Sequence, residues 1–68
     1  MVVMKITLNG EDQETSACTI AELLLKLQAP DTGIAVAQNG AVVRRAEHQS
    51  TLIAEGDAIE IIRAVQGG

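Results

Sequence analysis

Two Asn-Gly pairs, Asn9-Gly10 and Asn39-Gly40, each follow a short apolar run, and they constrain this 68-residue chain more than any other feature. Asparagine and glycine tolerate the positive φ angles of a two-residue turn, whose twist matches that of paired strands, so each pair predicts a β-hairpin. Before the first pair, Val2, Met4, Ile6 and Leu8 alternate with Val3, Lys5 and Thr7, which predicts a half-buried strand over residues 2–8. Its partner is expected within residues 13–17, a polar stretch suited to a sheet edge, where Glu11, Asp12 and Glu14 discourage pairing with other chains. Residues 34–38 and 41–44 form the second predicted hairpin.

Between the hairpins, Thr19 with Glu22 three positions later has the pattern of a capping box, and Ile20, Leu23, Leu24 and Leu27 recur at helical spacing. These predict one amphipathic helix over residues 19–27, with Leu25 off its apolar face and Pro30 beyond its end. Cys18, just before the cap, is expected to pack against Leu23 as a hydrophobic staple. Residues 45–51 are polar, and Leu52 and Ile53 are expected to tuck beneath them. Glu55-Gly56-Asp57 predicts a turn in which the Asp57 carboxylate bonds nearby backbone N–H groups. The last strand, over residues 58–64, puts Ile59 and Ile61 on one face and Glu60 and Ile62 on the other. Paired with the first strand near the sheet centre, it completes an α+β roll whose mixed sheet is covered on one face by one main helix. The other face is left for a partner, with Ile62 and the neighbouring Glu60 as its candidate contacts.

A chain this short holds one domain, and with only about 60% of its unfolded surface hidden on folding its stability is expected at about 3–5 kcal/mol. It lacks Phe, Tyr and Trp, which removes the stacking platforms of single-strand nucleic-acid binders. Its net charge of −4 repels phosphate backbones and anionic membranes. No apolar run reaches membrane length and the start has no secretory pattern, so a cytoplasmic protein is expected, with neither nucleic acid nor membrane as partner. The single Cys18 offers no metal-ligand spacing, so no metal site is expected. His48 has no ligating neighbour and reads as a solvated loop residue, and Arg44-Arg45 reads as a solvated edge.

The chemistry is expected at the other end of the chain. The sequence closes Val65-Gln66-Gly67-Gly68. A diglycine lacks both Cβ atoms and can thread a channel too narrow for side chains, delivering the Gly68 carboxylate. An enzyme could join that carboxylate to the α-phosphate of ATP and pass the acyl adenylate to a sulfur or amine nucleophile. Residues 1–64 are thus expected to form the domain and residues 65–68 a flexible tail.

Taken in order, Met4-Lys5-Ile6-Thr7-Leu8-Asn9-Gly10, the helix of residues 19–27, Ala35-Val36-Ala37-Gln38-Asn39-Gly40, Val43-Arg44-Arg45, Glu55-Gly56-Asp57 and Val65-Gln66-Gly67-Gly68 resemble one family. It is that of the β-grasp, ubiquitin-like sulfur carriers of prokaryotes, most closely the carriers of thiamin biosynthesis. His48 departs from the pattern, which has an aromatic or larger apolar residue in that loop. The resemblance implies a β-grasp carrier that is not itself an enzyme and binds no cofactor. An E1-like adenylyltransferase using MgATP would adenylate Gly68, with Val65, Gln66 and Gly67 threading its site. A persulfide sulfur donor would convert the adenylate to a thiocarboxylate, and thiazole synthase would take the sulfur. The same tail would also suit the small subunit of molybdopterin synthase or a ubiquitin-like protein modifier. An interaction module with no terminal chemistry would instead keep its function without Gly67-Gly68.

Overall fold

The computed structural model describes residues 3–30 and 33–63. The expectations for Val2 and Ala64 as strand residues, and for the tail of residues 65–68, lie outside the described residues. Within them the order is β1 (Met4–Leu8), β2 (Glu11–Thr15), α1 (Ile20–Lys26), β3 (Ile34–Gln38), β4 (Ala41–Val43), a 3-10 turn (Arg45–Glu47) and β5 (Ala58–Arg63). The sheet runs β2-β1-β5-β3-β4, with β5 at its centre, parallel to β1 and antiparallel to β3. The predicted α+β roll and the central place of the last strand both hold.

Both Asn-Gly pairs make the tight turns their chemistry favours: Asn9 and Gly10 have φ of 51° and 84°, and Asn39 and Gly40 have 52° and 84°. Because such a loop has only two residues, Glu11 stands directly opposite Leu8. β2 therefore begins at Glu11, two residues before the predicted stretch, and ends at Thr15. There the Thr15 hydroxyl accepts the Ala17 N–H at 3.0 Å and turns the chain out of the strand.

Thr19 caps α1 as predicted, its hydroxyl accepting the Glu22 N–H at 3.2 Å, but the Glu22 carboxylate accepts the N–H of Cys18 at 2.8 Å. The box is thus shifted by one residue, because the backbone at residues 18–20 also pairs with the returning chain: Cys18 C=O accepts the Ile53 N–H and Thr51 C=O accepts the Ile20 N–H. This pairing leaves the Cys18 side chain exposed, contrary to the expected staple. Ala17, fully buried, fills the interior beside the helix start instead.

The helix stops before Pro30 can act on it. Leu27 is the C-cap, Gln28 has φ 58°, and the Gln28 and Ala29 N–H groups bond the carbonyls of Leu25 and Leu24. That is a Schellman ending with glutamine at the position where glycine is favoured. Gln28→Gly should therefore raise stability by up to about 1 kcal/mol, roughly 4–8 °C in Tm for a domain this size. Calorimetry checks it, and a lower Tm would show that the glutamine side chain stabilises the turn.

Ile20, Leu23 and Leu24 pack on Ile6, Val36, Val43, Ile53 and Ile59, while Leu25 faces outward as the helical spacing requires; Leu27, the fourth residue of the predicted stripe, is instead the exposed C-cap, because the helix ends at Lys26. Of the pair expected beneath the polar stretch only Ile53 is buried. Leu52 is 71% exposed, because consecutive residues of the extended bridge to Thr19 face opposite ways. His48 is half-buried rather than solvated: its ring Nε2–H donates to the Val43 carbonyl at 3.2 Å, and its own carbonyl accepts the Ala21 N–H. A hydrogen-bonded histidine thus ties β4 to α1 in the loop where a larger apolar residue was expected.

Candidate functional site

β5 stands at the sheet centre and is the last described strand before residues 64–68 in sequence, and several groups hold it in place. At its start, Gly56 (φ 86°) takes the third position of a turn closed by the Asp57 N–H to Ala54 C=O at 3.1 Å. The turn is latched to β1 through Lys5 N–H to the Glu55 carboxylate, Gly56 N–H to Lys5 C=O, and Thr7 N–H to Asp57 C=O. The Asp57 carboxylate is 8% exposed and accepts from the Ala54 N–H at 2.8 Å, the Gln38 amide at 2.7 Å and the Asn39 amide at 3.0 Å. Burial pushes its pKa up, but the three hydrogen bonds together outweigh burial and hold it below the ordinary value. The predicted turn carboxylate is therefore present, with a reach across to β3 that turn chemistry alone did not indicate.

The two turn asparagines extend this grip. Asn39 Oδ1 accepts the Ala58 N–H at 2.9 Å, and Asn9 Oδ1 accepts the Ile61 N–H at 2.8 Å. Sequence reading used both residues only for their positive φ. Their side-chain role has no local signature, since the bonded partners lie 19 and 52 residues away.

The sheet face away from α1 is open. Register places Lys5 with Glu14, Thr7 with Asp12 and Ala58, Glu60 with Ala37 and Val42, and Ile62 with Ala35 on this face. Ile62 is 58% exposed and Val42 74% exposed, with Ala35 exposed between them in the sheet order, so the β5-β3-β4 half is apolar. The β2-β1 half carries Asp12, Glu14 and Lys5, and Glu60 stands exposed at the boundary. An exposed apolar half-face beside a charged half is a composition suited to docking a protein. Ile62 and Glu60 both stand on it, while Val42 and Ala35 were not singled out from the sequence; the strand pairing is what brings them beside Ile62.

The other candidate residues do not gather there. Among the described residues no three His, Cys, Asp or Glu side chains come together as metal ligands, and none of the helices is long and apolar enough to cross a membrane. A shallow, mainly apolar groove of about 730 Å³ lies on the far side between α1 and the 3-10 turn, lined in part by Leu24, Leu25, Ala46 and His48.

A family model, that of the ThiS family, matches residues 6–68, which spans the sheet, the helix and the diglycine. The chain belongs to the ThiS family. The family resemblance read from the residues is thereby established. The ThiS fold is also matched in three dimensions. A crystal structure of the thiamine biosynthesis protein ThiS from Geobacter metallireducens superposes with a TM-score of 0.83 at 29% identity, covering 96% of this chain and all of that one. A solution structure of a thiamine biosynthesis protein from the same organism gives 0.77 at 30% identity, covering 96% of this chain and 88% of that one. Two curated relatives, both thiazole synthases, are 39% identical in Magnetococcus marinus and 32% identical in Paramagnetospirillum magneticum. Each match covers 96% of this chain, but the chain spans only 20% of the relatives' own length.

Proposed function

We propose that this ThiS-family chain carries sulfur on the carboxylate of Gly68 for the formation of a thiazole. The observation that carries the reading is that the family match runs through Gly67 and Gly68 and does not stop at the sheet. In this reading the Gly68 carboxylate attacks the α-phosphorus of ATP in an E1-like adenylyltransferase, and pyrophosphate leaves. A persulfide then attacks the acyl carbon, AMP leaves, and a thiol reduces the resulting acyl disulfide to the thiocarboxylate. MgATP and the persulfide donor belong to the partner enzymes, whose site supplies positioning and charge neutralisation. The similarity to a fifth of two thiazole synthases supports thiazole synthase as the acceptor, since it joins a like sequence to that activity in one chain.

The decisive measurement is C-terminal peptide mass spectrometry after incubation with adenylyltransferase, MgATP and a persulfide donor. One oxygen of Gly68 should be replaced by sulfur. Oxidation of Met1, Met4 or Cys18 adds nearly the same mass, so the peptide that carries the gain decides. A gain on those peptides, or an equal gain in a chain lacking Gly68, would reject the carrier reading in favour of an interaction module.

The open sheet face is proposed to dock the adenylyltransferase around Ile62. Ile62→Glu buries a charge in that contact and should weaken binding about tenfold or more, whereas Cys18→Ala should leave it unchanged. Equal affinities of wild type and Ile62→Glu in a titration would move the docking surface elsewhere.

A further inference from the structure

β5 is only half covered on its β1 side. β1 pairs with it at Thr7↔Ala58 and Leu8↔Ile59, then turns away at Asn9-Gly10, and the Asn9 side chain takes the Ile61 N–H. In a strand, successive residues direct their backbone polar groups to opposite sides. Ile59 C=O accepts the Asn9 N–H and Ile61 N–H reaches Asn9 Oδ1, so the odd-numbered residues of β5 face β1 and the even-numbered ones face β3. The next groups in the odd series are Ile61 C=O and Arg63 N–H. No described residue hydrogen-bonds to either of them. The edge therefore lies inside the sheet order, beyond the end of β1, and leads directly to residue 64.

Unpaired backbone edges are templates for another strand, and the true edges of this sheet are guarded. β2 presents exposed Glu11, Asp12 and Glu14, and β4 is three residues long. The edge at residues 61–63 is less guarded: exposed Ile62 stands beside it on the open face, and its one exposed charge, Arg63, is positive in a chain of net −4 and so suits an acidic partner. We propose that this edge is a strand-addition site, taking an extended segment of the adenylyltransferase through Ile61 C=O and Arg63 N–H. That segment places an apolar side chain against Ile62 and a carboxylate near Arg63. The inference rests on the adenylation reading above, because an enzyme that draws the residues after Arg63 into a narrow channel must hold them extended. A strand laid on this edge sets that line from the last turn of the sheet onward.

Two measurements on the full chain test it. First, amide hydrogen exchange of the 15N-labelled protein, alone and with the adenylyltransferase, should show Arg63 N–H exchange slowed at least tenfold in the complex. Second, Arg63→Pro and Arg63→Ala both remove the side chain, but only proline removes the N–H. No described residue uses that N–H, so both variants should unfold at the parent temperature. Arg63→Pro should bind about five- to tenfold more weakly than Arg63→Ala. A complex in which Arg63 exchange is unchanged, or equal affinity of the two variants, overturns the strand-addition site and leaves the carrier reading standing. If no complex forms at any concentration, both fall. Protection of Arg63 in the free chain together with a dimer by sedimentation would assign the edge to a second copy and also overturn it. Should Arg63→Pro fail to fold, the exchange measurement on the unaltered chain decides.

Discussion

Gly67→Val should reduce adenylation of this chain on the order of 100-fold or more while leaving its thermal unfolding unchanged. The residue chemistry is simple. Valine adds a branched Cβ to the position next to the reacting carboxylate, which excludes the glycine-only backbone conformations and widens a segment that must pass a narrow site. Misplacing the reacting atoms by about 1 Å is enough for a loss of that size. ATP-pyrophosphate exchange measures the step directly, with the activating enzyme held constant. Gly67→Ala is the informative intermediate, since it adds a Cβ without branching and should lose less. Full exchange by the valine variant would show that the enzyme does not require a thin tail, and the diglycine would then need another explanation.

That prediction rests on sequence, and most of the fold was legible there too, because its elements are specified locally. Asn-Gly fixes a hairpin within four residues, and Thr19 with the Ile20, Leu23, Leu24 stripe fixes the helix and its inward face. Alternation in residues 59–62 correctly divided buried Ile59 from exposed Glu60 and Ile62. The errors arose wherever a distant partner competed for a local group. Cys18 faces solvent because its backbone is claimed on both sides, by Glu22 and by Ile53. Leu52 faces outward because the chain beside it lies extended against the helix start, and His48 turns inward because the helical turn after β4 brings its ring back to the Val43 carbonyl; neither pairing has a sequence signature. Gln28 ends the helix two residues before Pro30, its αL conformation offset by the hydrogen bonds of the Gln28 and Ala29 N–H groups.

The candidate site divides along the same line. Ile62 and Glu60 could be placed on the uncovered face by counting residues along one strand. Val42, Ala35 and the open edge at Arg63 became visible only through register between strands far apart in sequence. Asn9 and Asn39 show why: the same side chains serve a local turn and a long-range bond to β5, and only the first use is written in the dipeptide. The result couples the turns to β5. Both hairpin tips and the Asp57 turn hold the single strand that precedes the diglycine.

Asp57→Ala should therefore be the most destabilising polar substitution in this protein, at about 2–3 kcal/mol, a large share of the roughly 3–5 kcal/mol expected for a domain of this size. It removes the acceptor for one backbone N–H and two side-chain amides at a position only 8% exposed, and of these the Gln38 amide keeps a second acceptor in the Leu52 carbonyl. The denaturant midpoint should fall by about half or more with little change in slope. Acid should act through the same group. Because the folded pKa lies below the ordinary value of 3.8, this carboxylate's contribution is complete above that value and is lost as pH falls through the folded pKa. Asp57→Asn should accordingly flatten the loss of stability between wild type and variant as pH falls below about 4, while costing less than alanine at neutral pH because one oxygen acceptor remains. The functional consequence separates structure from chemistry. Asp57→Asn, cooled until circular dichroism shows it folded, should be adenylated at nearly the parent rate, since the carboxylate holds β5 and does not touch the reacting atoms. A folded Asp57→Asn chain that is not adenylated would instead make Asp57 part of the partner's contact surface.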